Sequence, residues 1–128
     1  MPIGPASMRE LATCHLDLRK LILAAAAGVD RGDLSYAGVH DMMVTSGYRG
    51  QAEQDAAVAA GTSKAPWPTS HHNRKPSDAV DVIPYPEKWS STPKLTALHA
   101  YIAGLARGIG IELRGISWDL PHIQRDVP

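Results

Sequence analysis

A carboxylate set inside an apolar run constrains this chain more than any other feature. Asp81 stands in Ala79-Val80-Asp81-Val82-Ile83, a short β-prone run closed by Pro84-Tyr85-Pro86. The run reads as a central strand, where an ionised carboxylate is costly unless a cation or several donors meet it. Two arrangements satisfy it. Either the strand lies at an edge and turns Asp81 to solvent, or Asp81 is a metal ligand.

The remaining pattern predicts an α+β fold, a small antiparallel sheet packed with about three helices. Ser7 and Glu10 have capping-box spacing, and Leu11, Cys14, Leu18, Leu21, Ile22 and Ala25 recur on one side of a helical wheel. They predict one N-terminal helix ending near Gly28. Residues 39–45 read as a strand, and residues 51–60 as a short helix stopped by Gly61. Thr92 and Pro93 start a longer helix, with Leu95, Leu98, Ile102 and Leu105 at helical spacing until Gly108 and Gly110. Residues 111–113 read as a further short strand, followed by His122 and a polar tail. Between these elements, residues 61–77 hold three prolines and many small polar residues, a stretch too long for a simple connector. With 128 residues the chain has room for one domain, placed at residues 9–124 between tails at 1–8 and 125–128.

Charge and cysteine content remove several functions. Thirteen basic residues balance thirteen acidic ones, so no global field gathers a polyanion and nucleic acid is not an expected partner. Cys14 is the single cysteine, which excludes an internal disulfide and a cysteine zinc cluster; a metal site must use His, Asp and Glu. Residues 1–7 lack a basic region followed by a long apolar core, and the apolar stretch 21–27 is short. We therefore expect a monomer made in the cytoplasm without a signal peptide or stable membrane insertion. Another agent must carry it to any external substrate.

His72 precedes Asp81 by nine positions, beside His71 and Asn73. Near the C-terminus, Trp118-Asp119-Leu120-Pro121-His122 sets a carboxylate three residues before an imidazole, and Pro121 holds Leu120 extended. Each segment alone is weak evidence. Together they supply two imidazoles, a carboxylate in an apolar run and a second carboxylate, the inventory of a catalytic zinc site with an open position. Zinc brings the pKa of its water to about neutrality, and Asp119, free of the metal, suits the role of moving the proton to a leaving amine. Local chemistry leaves His71 open beside His72; it favours Asp81 over Asp78, which lies at the polar edge of the run.

At this point the sequence resembles a known family. SHHNRKPSDAVDVIPYPEKW, residues 70–89, is similar to the zinc-ligand segment of phage-type D-alanyl-D-alanine carboxypeptidases and L-alanyl-D-glutamate endopeptidases, VanY-like peptidases that share the hedgehog/DD-peptidase fold. Ser70, His72, Asn73, Pro76, Ser77, Ala79, Val80, Asp81, Pro84, Tyr85, Pro86 and Trp89 match the family pattern. Residues 46–64, SGYRGQAEQDAAVAAGTSK, are similar to the segment carrying the family's substrate-binding Arg and its Gln, here Arg49 and Gln54. WDLPHIQ resembles the closing Asp-x-Pro-His pattern. The likeness spans about residues 9–124. It implies one zinc ion per chain on His72, Asp81 and His122, Asp119 as catalytic acid/base, Arg49 fixing a substrate carboxylate or carbonyl, and Gln54 and Ser70 orienting ligands or substrate.

The activity so implied is hydrolysis of an amide in the peptidoglycan stem peptide. The best reading is the L-alanyl-D-glutamate bond, cut by a bacteriophage endolysin that reaches the cell wall after holin-type release. The alternatives are a D-alanyl-D-alanine carboxypeptidase, a wall-degrading virion component, or a zinc-containing binding domain without turnover. The sequence departs from the family where Ile123 replaces an aromatic after the final His. It departs again where residues 114–118 run straight into Asp119 without the usual insertion, which shortens the expected cleft wall.

Overall fold

The computed structural model describes residues 3–114 and 120–128. Its helices are α1 (Pro5–Leu11), α2 (Leu16–Arg31), α3 (Gln51–Ala59) and α4 (Thr92–Ile109). Its strands are β1 (Met42–Ser46), β2 (Ala79–Pro84), β3 (Leu113–Arg114) and β4 (His122–Arg125), antiparallel in the order β1-β2-β4-β3. The fold is α+β, and the Asp81 strand is central. No helix among the described residues is long and apolar enough to cross a membrane.

The N-terminal segment corrects one expectation: the single helix over residues 7–28 is two helices. At Thr13 to His15 the backbone turns aside to bond Ser77, with His15 N–H donating to the Ser77 carbonyl (2.8 Å) and Ser77 N–H to that of Thr13 (2.9 Å). The break preserves the apolar face, so Leu11, Cys14 and Leu18 are all buried as periodicity requires. Ser7 and Glu10 do not form a capping box either. Ser7 Oγ accepts from Val44 N–H (3.0 Å) and Glu10 Oε1 from Gly47 N–H (3.1 Å), so both residues fasten α1 to β1. α2 restarts with His15 as its cap, the imidazole accepting from Asp17 N–H (3.1 Å).

Alternation along β2 divides the sheet's two faces. Val80 and Val82 enter the core with Leu18, Leu21 and Ile22 of α2 and Leu98 and Ile102 of α4. Asp81 therefore points away from that core. β4 repeats the pattern, with Ile123 in the core and His122 and Gln124 on the Asp81 face. This strand is an addition to the sequence reading, which predicts no strand at residues 122–125. Elsewhere the boundaries move by a few residues: β1 begins at Met42, not Val39, and β3 is Leu113–Arg114. Gly110 closes α4 in the left-handed conformation (φ 78°), where a residue without Cβ meets no steric cost.

Gly47 is required for a different reason. A Cβ there would collide with the Glu10 carbonyl oxygen and Thr13 Oγ1, because the end of β1 passes directly against the end of α1. Gly47→Ala should destabilise the fold by about 1–3 kcal/mol, the usual cost of overpacking, read from the denaturant midpoint. Cys14 gives a second check. Burial pushes its thiol up to about 11, and only the thiolate is nucleophilic. At about pH 8 the native protein should resist alkylation and react once unfolded; fast labelling of the folded chain would contradict this packing.

Candidate functional site

Three elements bring metal-ligating side chains to one point. Asp81 stands on the face of β2 opposite Val80 and Val82, and antiparallel register sets His122 of β4 directly across from it. His72 arrives from the long loop, in the 3-10 turn His71–Asn73. That turn is capped by Ser70, whose Oγ accepts from His72 N–H (3.2 Å), while Ser70 N–H donates to Asn73 Oδ1 (3.0 Å). The sequence places Ser and Asn three apart, and the structure uses them to fix the His between.

The resulting geometry is a near-equilateral triangle. His72 Nε2 lies 3.2 Å from His122 Nδ1, and Asp81 Oδ1 lies 3.3 Å from each nitrogen. A tetrahedral ion with bonds of about 2.0–2.1 Å has ligand edges of about 3.3 Å, so the triangle has the size of one face of such a site. Asp81 Oδ1 is buried and has no hydrogen-bond partner, an arrangement that is costly unless a cation faces it.

The outer nitrogens of both rings fix which atoms face inward. His72 Nδ1 lies 2.7 Å from the Gly47 carbonyl oxygen, which can only accept, so Nδ1 carries the proton and Nε2 presents a lone pair. His122 Nε2 lies 2.8 Å from Gln124 Oε1 and donates to it, leaving Nδ1 as the inward lone pair. Two lone pairs and a carboxylate oxygen thus converge, which repel one another unless a cation or protons lie between them. Burial on its own would raise the Asp81 carboxyl; imidazoles protonated on their inward nitrogens would outweigh burial and hold the group far below the usual carboxylate range, so the carboxylate needs protons or a cation inside the triangle. The triangle is therefore a group able to hold a metal ion.

Neighbouring ionisable groups are engaged elsewhere. Asp78 binds Arg125 Nη1 through Oδ1 (2.7 Å) and Arg74 Nη1 through Oδ2 (3.2 Å). The ring of His71 lies against the Val127 carbonyl (3.2 Å) and the Gln124 amide (3.4 Å), and burial lowers its pKa. His99 of α4 donates from Nε2 to the Val82 carbonyl (2.8 Å).

Asp81 and His122 line a cleft of about 850 Å³ whose wall includes Arg49, Ser70, Trp89, Leu120 and Pro121, with His72 buried behind them. Arg49 is tied to the ligand turn: its N–H donates to the His72 carbonyl (2.8 Å) and its carbonyl accepts from Asn73 Nδ2 (3.1 Å). Gln54 is fully buried on α3, away from the cleft. Its Oε1 accepts from Asn73 (3.1 Å), and its Nε2 donates to Ser63 Oγ (2.9 Å) and the Ala65 carbonyl (2.6 Å). It clamps the loop that carries His72. Asp119 lies outside the described residues; Leu120 and Pro121, which follow it, line the cleft.

Two contributors escaped the sequence reading. Gly47 lends a carbonyl, for which no side-chain signal exists. Gln124 was detectable only by recognising a strand at residues 122–125, since alternation then puts it beside His122. Gln124→Ala should weaken metal affinity about 10–100-fold, as loss of a ligand's outer hydrogen bond does elsewhere. Gln124→Glu, which keeps an acceptor, should restore most of it. Chelator competition on folded protein measures both; equal affinity in all three forms would remove Gln124 from the site.

No protein-family model matches the sequence, and no curated protein matches it either. Among solved structures the chain is similar to the crystal structure of the Serratia marcescens L-Ala D-Glu endopeptidase ChiX, with a TM-score of 0.71 and 26% sequence identity. The alignment covers 96% of this chain and 89% of that one, so the two share a fold along nearly their whole length.

Proposed function

We propose that this chain is a zinc-dependent peptidoglycan peptidase that hydrolyses the L-alanyl-D-glutamate bond of the stem peptide, through one domain over residues 9–124. The observation that carries the proposal is the triangle of His72 Nε2, His122 Nδ1 and Asp81 Oδ1, with edges of 3.2–3.3 Å at the foot of an open cleft. Three protein ligands, with a cleft open beside two of them for a fourth position, are what a catalytic rather than a structural zinc site has. Similarity to an L-Ala D-Glu endopeptidase supports the substrate class.

Bound zinc would supply Lewis acidity, lowering the pKa of water and polarising the scissile carbonyl. The protein's own residues do the rest. His72 and His122 hold their inward tautomers through Gly47 and Gln124, which orients the donor set without rearrangement. Asp119, three residues before His122, takes the proton of the attacking water and returns it to the departing amine of D-glutamate. Arg49 reaches the cleft from a backbone fixed to the ligand turn and holds a substrate carboxylate by charge-assisted hydrogen bonds. Stem peptides are rich in such groups. The sequence likeness to phage-type enzymes extends the proposal to a lysis role in which a holin-type partner opens the way to the wall.

Metal analysis and digestion of purified peptidoglycan test this together. We expect about one zinc per chain and a new free amine on D-glutamate in the fragments by mass spectrometry. Asp119→Ala should keep the metal and lower kcat about 10²–10⁴-fold, whereas His72→Ala should lose both. Release of terminal D-alanine would reassign the bond. Full activity in Asp119→Ala would reject the assigned base.

A further inference from the structure

Trp89 is at odds with ordinary packing. It is 58% exposed, although an indole is among the most favourable groups to bury, and it lines the same cleft as the metal-ligand triangle. Its placement is also built. Trp89 sits in the 3-10 turn Lys88–Ser90, directly after Lys88, which has φ 55° and is the one non-glycine residue with positive φ among those described. That conformation is unfavourable for a residue with a Cβ and persists where surrounding contacts fix it. Here Glu87 pairs with Lys94 Nζ of α4 at 3.0 Å, and the Ser90 N–H and Oγ both donate to the Glu87 carbonyl. The turn is held from both sides, and the indole is left facing the cleft.

Resting on the peptidase reading above, the proposed substrate says what such a ring would meet. In peptidoglycan the L-alanine amine is joined through a lactyl group to a muramic acid ring. Only one residue, about 3.5 Å of chain, therefore separates the scissile carbonyl from the lactyl linkage. The peptide beyond the cut is carboxylate-rich and suits Arg49. The alanine methyl is too small to cover an indole. A pyranose ring, uncharged and with one face of C–H groups, matches an exposed aromatic in size and polarity. We propose that Trp89 is a sugar-binding platform that stacks on the N-acetylmuramic acid ring at the head of the stem peptide, so that the enzyme prefers glycan-linked over free peptides.

The test compares zinc-loaded enzyme on two substrates, the free stem tetrapeptide and the same peptide carried on N-acetylmuramic acid. Wild type should show a kcat/KM ratio of about tenfold in favour of the muramoyl peptide, expressed in KM. Trp89→Ala should bring that ratio close to one, and Trp89→Tyr should keep most of it. A ratio unaltered in Trp89→Ala, or near one already in wild type, overturns the proposal. Failure of the peptidase reading is distinguished by a measurement without turnover. Titration of wild type with the peptide-free N-acetylglucosaminyl-N-acetylmuramic acid disaccharide should shift the Trp89 indole N–H resonance, assigned by its loss in Trp89→Tyr. A resonance that stays in place rejects the platform whatever bond is cut.

Discussion

The structure is organised around an unsatisfied oxygen. Asp81 Oδ1 is buried in the middle of the sheet without a hydrogen-bond donor, flanked at 3.3 Å by two imidazole nitrogens whose protons are on the far side of each ring. A fold selected only for stability would fill this position with an apolar residue, as the neighbouring Val80 and Val82 do on the opposite face. The carboxylate is compatible with the strand because Val80 and Val82 on the strand's other face enter the main core. β2 can thus contribute fully to hydrophobic burial while presenting one charged group to the cleft.

Everything around the oxygen restricts freedom. β4 supplies His122 in fixed register, and a single strand also delivers Gln124, the acceptor that sets the ring's tautomer. His72 has no strand to hold it, so its loop is fastened by a polar network instead. Gln54 is shared among Asn73, Ser63 and Ala65; Asn73 reaches Arg49; and the Arg49 N–H returns to the His72 carbonyl. Linked to one another in this way, these groups hold the loop that carries His72. α1 closes the arrangement from behind, since its contacts with Gly47 hold the carbonyl that meets His72 Nδ1.

The parts of this design differ in how far the chain displays them. Asp81 was conspicuous because its cost is local: a charge among β-branched neighbours. The helix face of Leu18, Leu21, Ile22 and Ala25 was equally plain, as periodicity survives even where the helix breaks at Thr13 to His15. That break was not visible, because it is made by pairing with Ser77, more than 60 residues away. Ser7 and Glu10 misled for the same reason: their spacing suits a helix start, yet tertiary partners at Val44 and Gly47 claim both. β4 was too short to register as a strand, and with it went Gln124. Whatever depends on a distant partner was hidden; whatever depends on composition within a few residues was legible.

The three converging atoms come from elements that are far apart in sequence and that connect by different means, a central strand, a second strand near the C-terminus and a capped turn. An ion bound among them would cross-link all three, and by mass action would stabilise the folded chain in proportion to its affinity. The tautomers and the loop network are nonetheless set by protein groups alone, so the site does not depend on the ion for its shape. Its shape instead makes the ion's absence unfavourable, by directing three electron-rich atoms at one another. Function is legible here as a place where the fold accepts a local electrostatic cost that a bound cation would reverse.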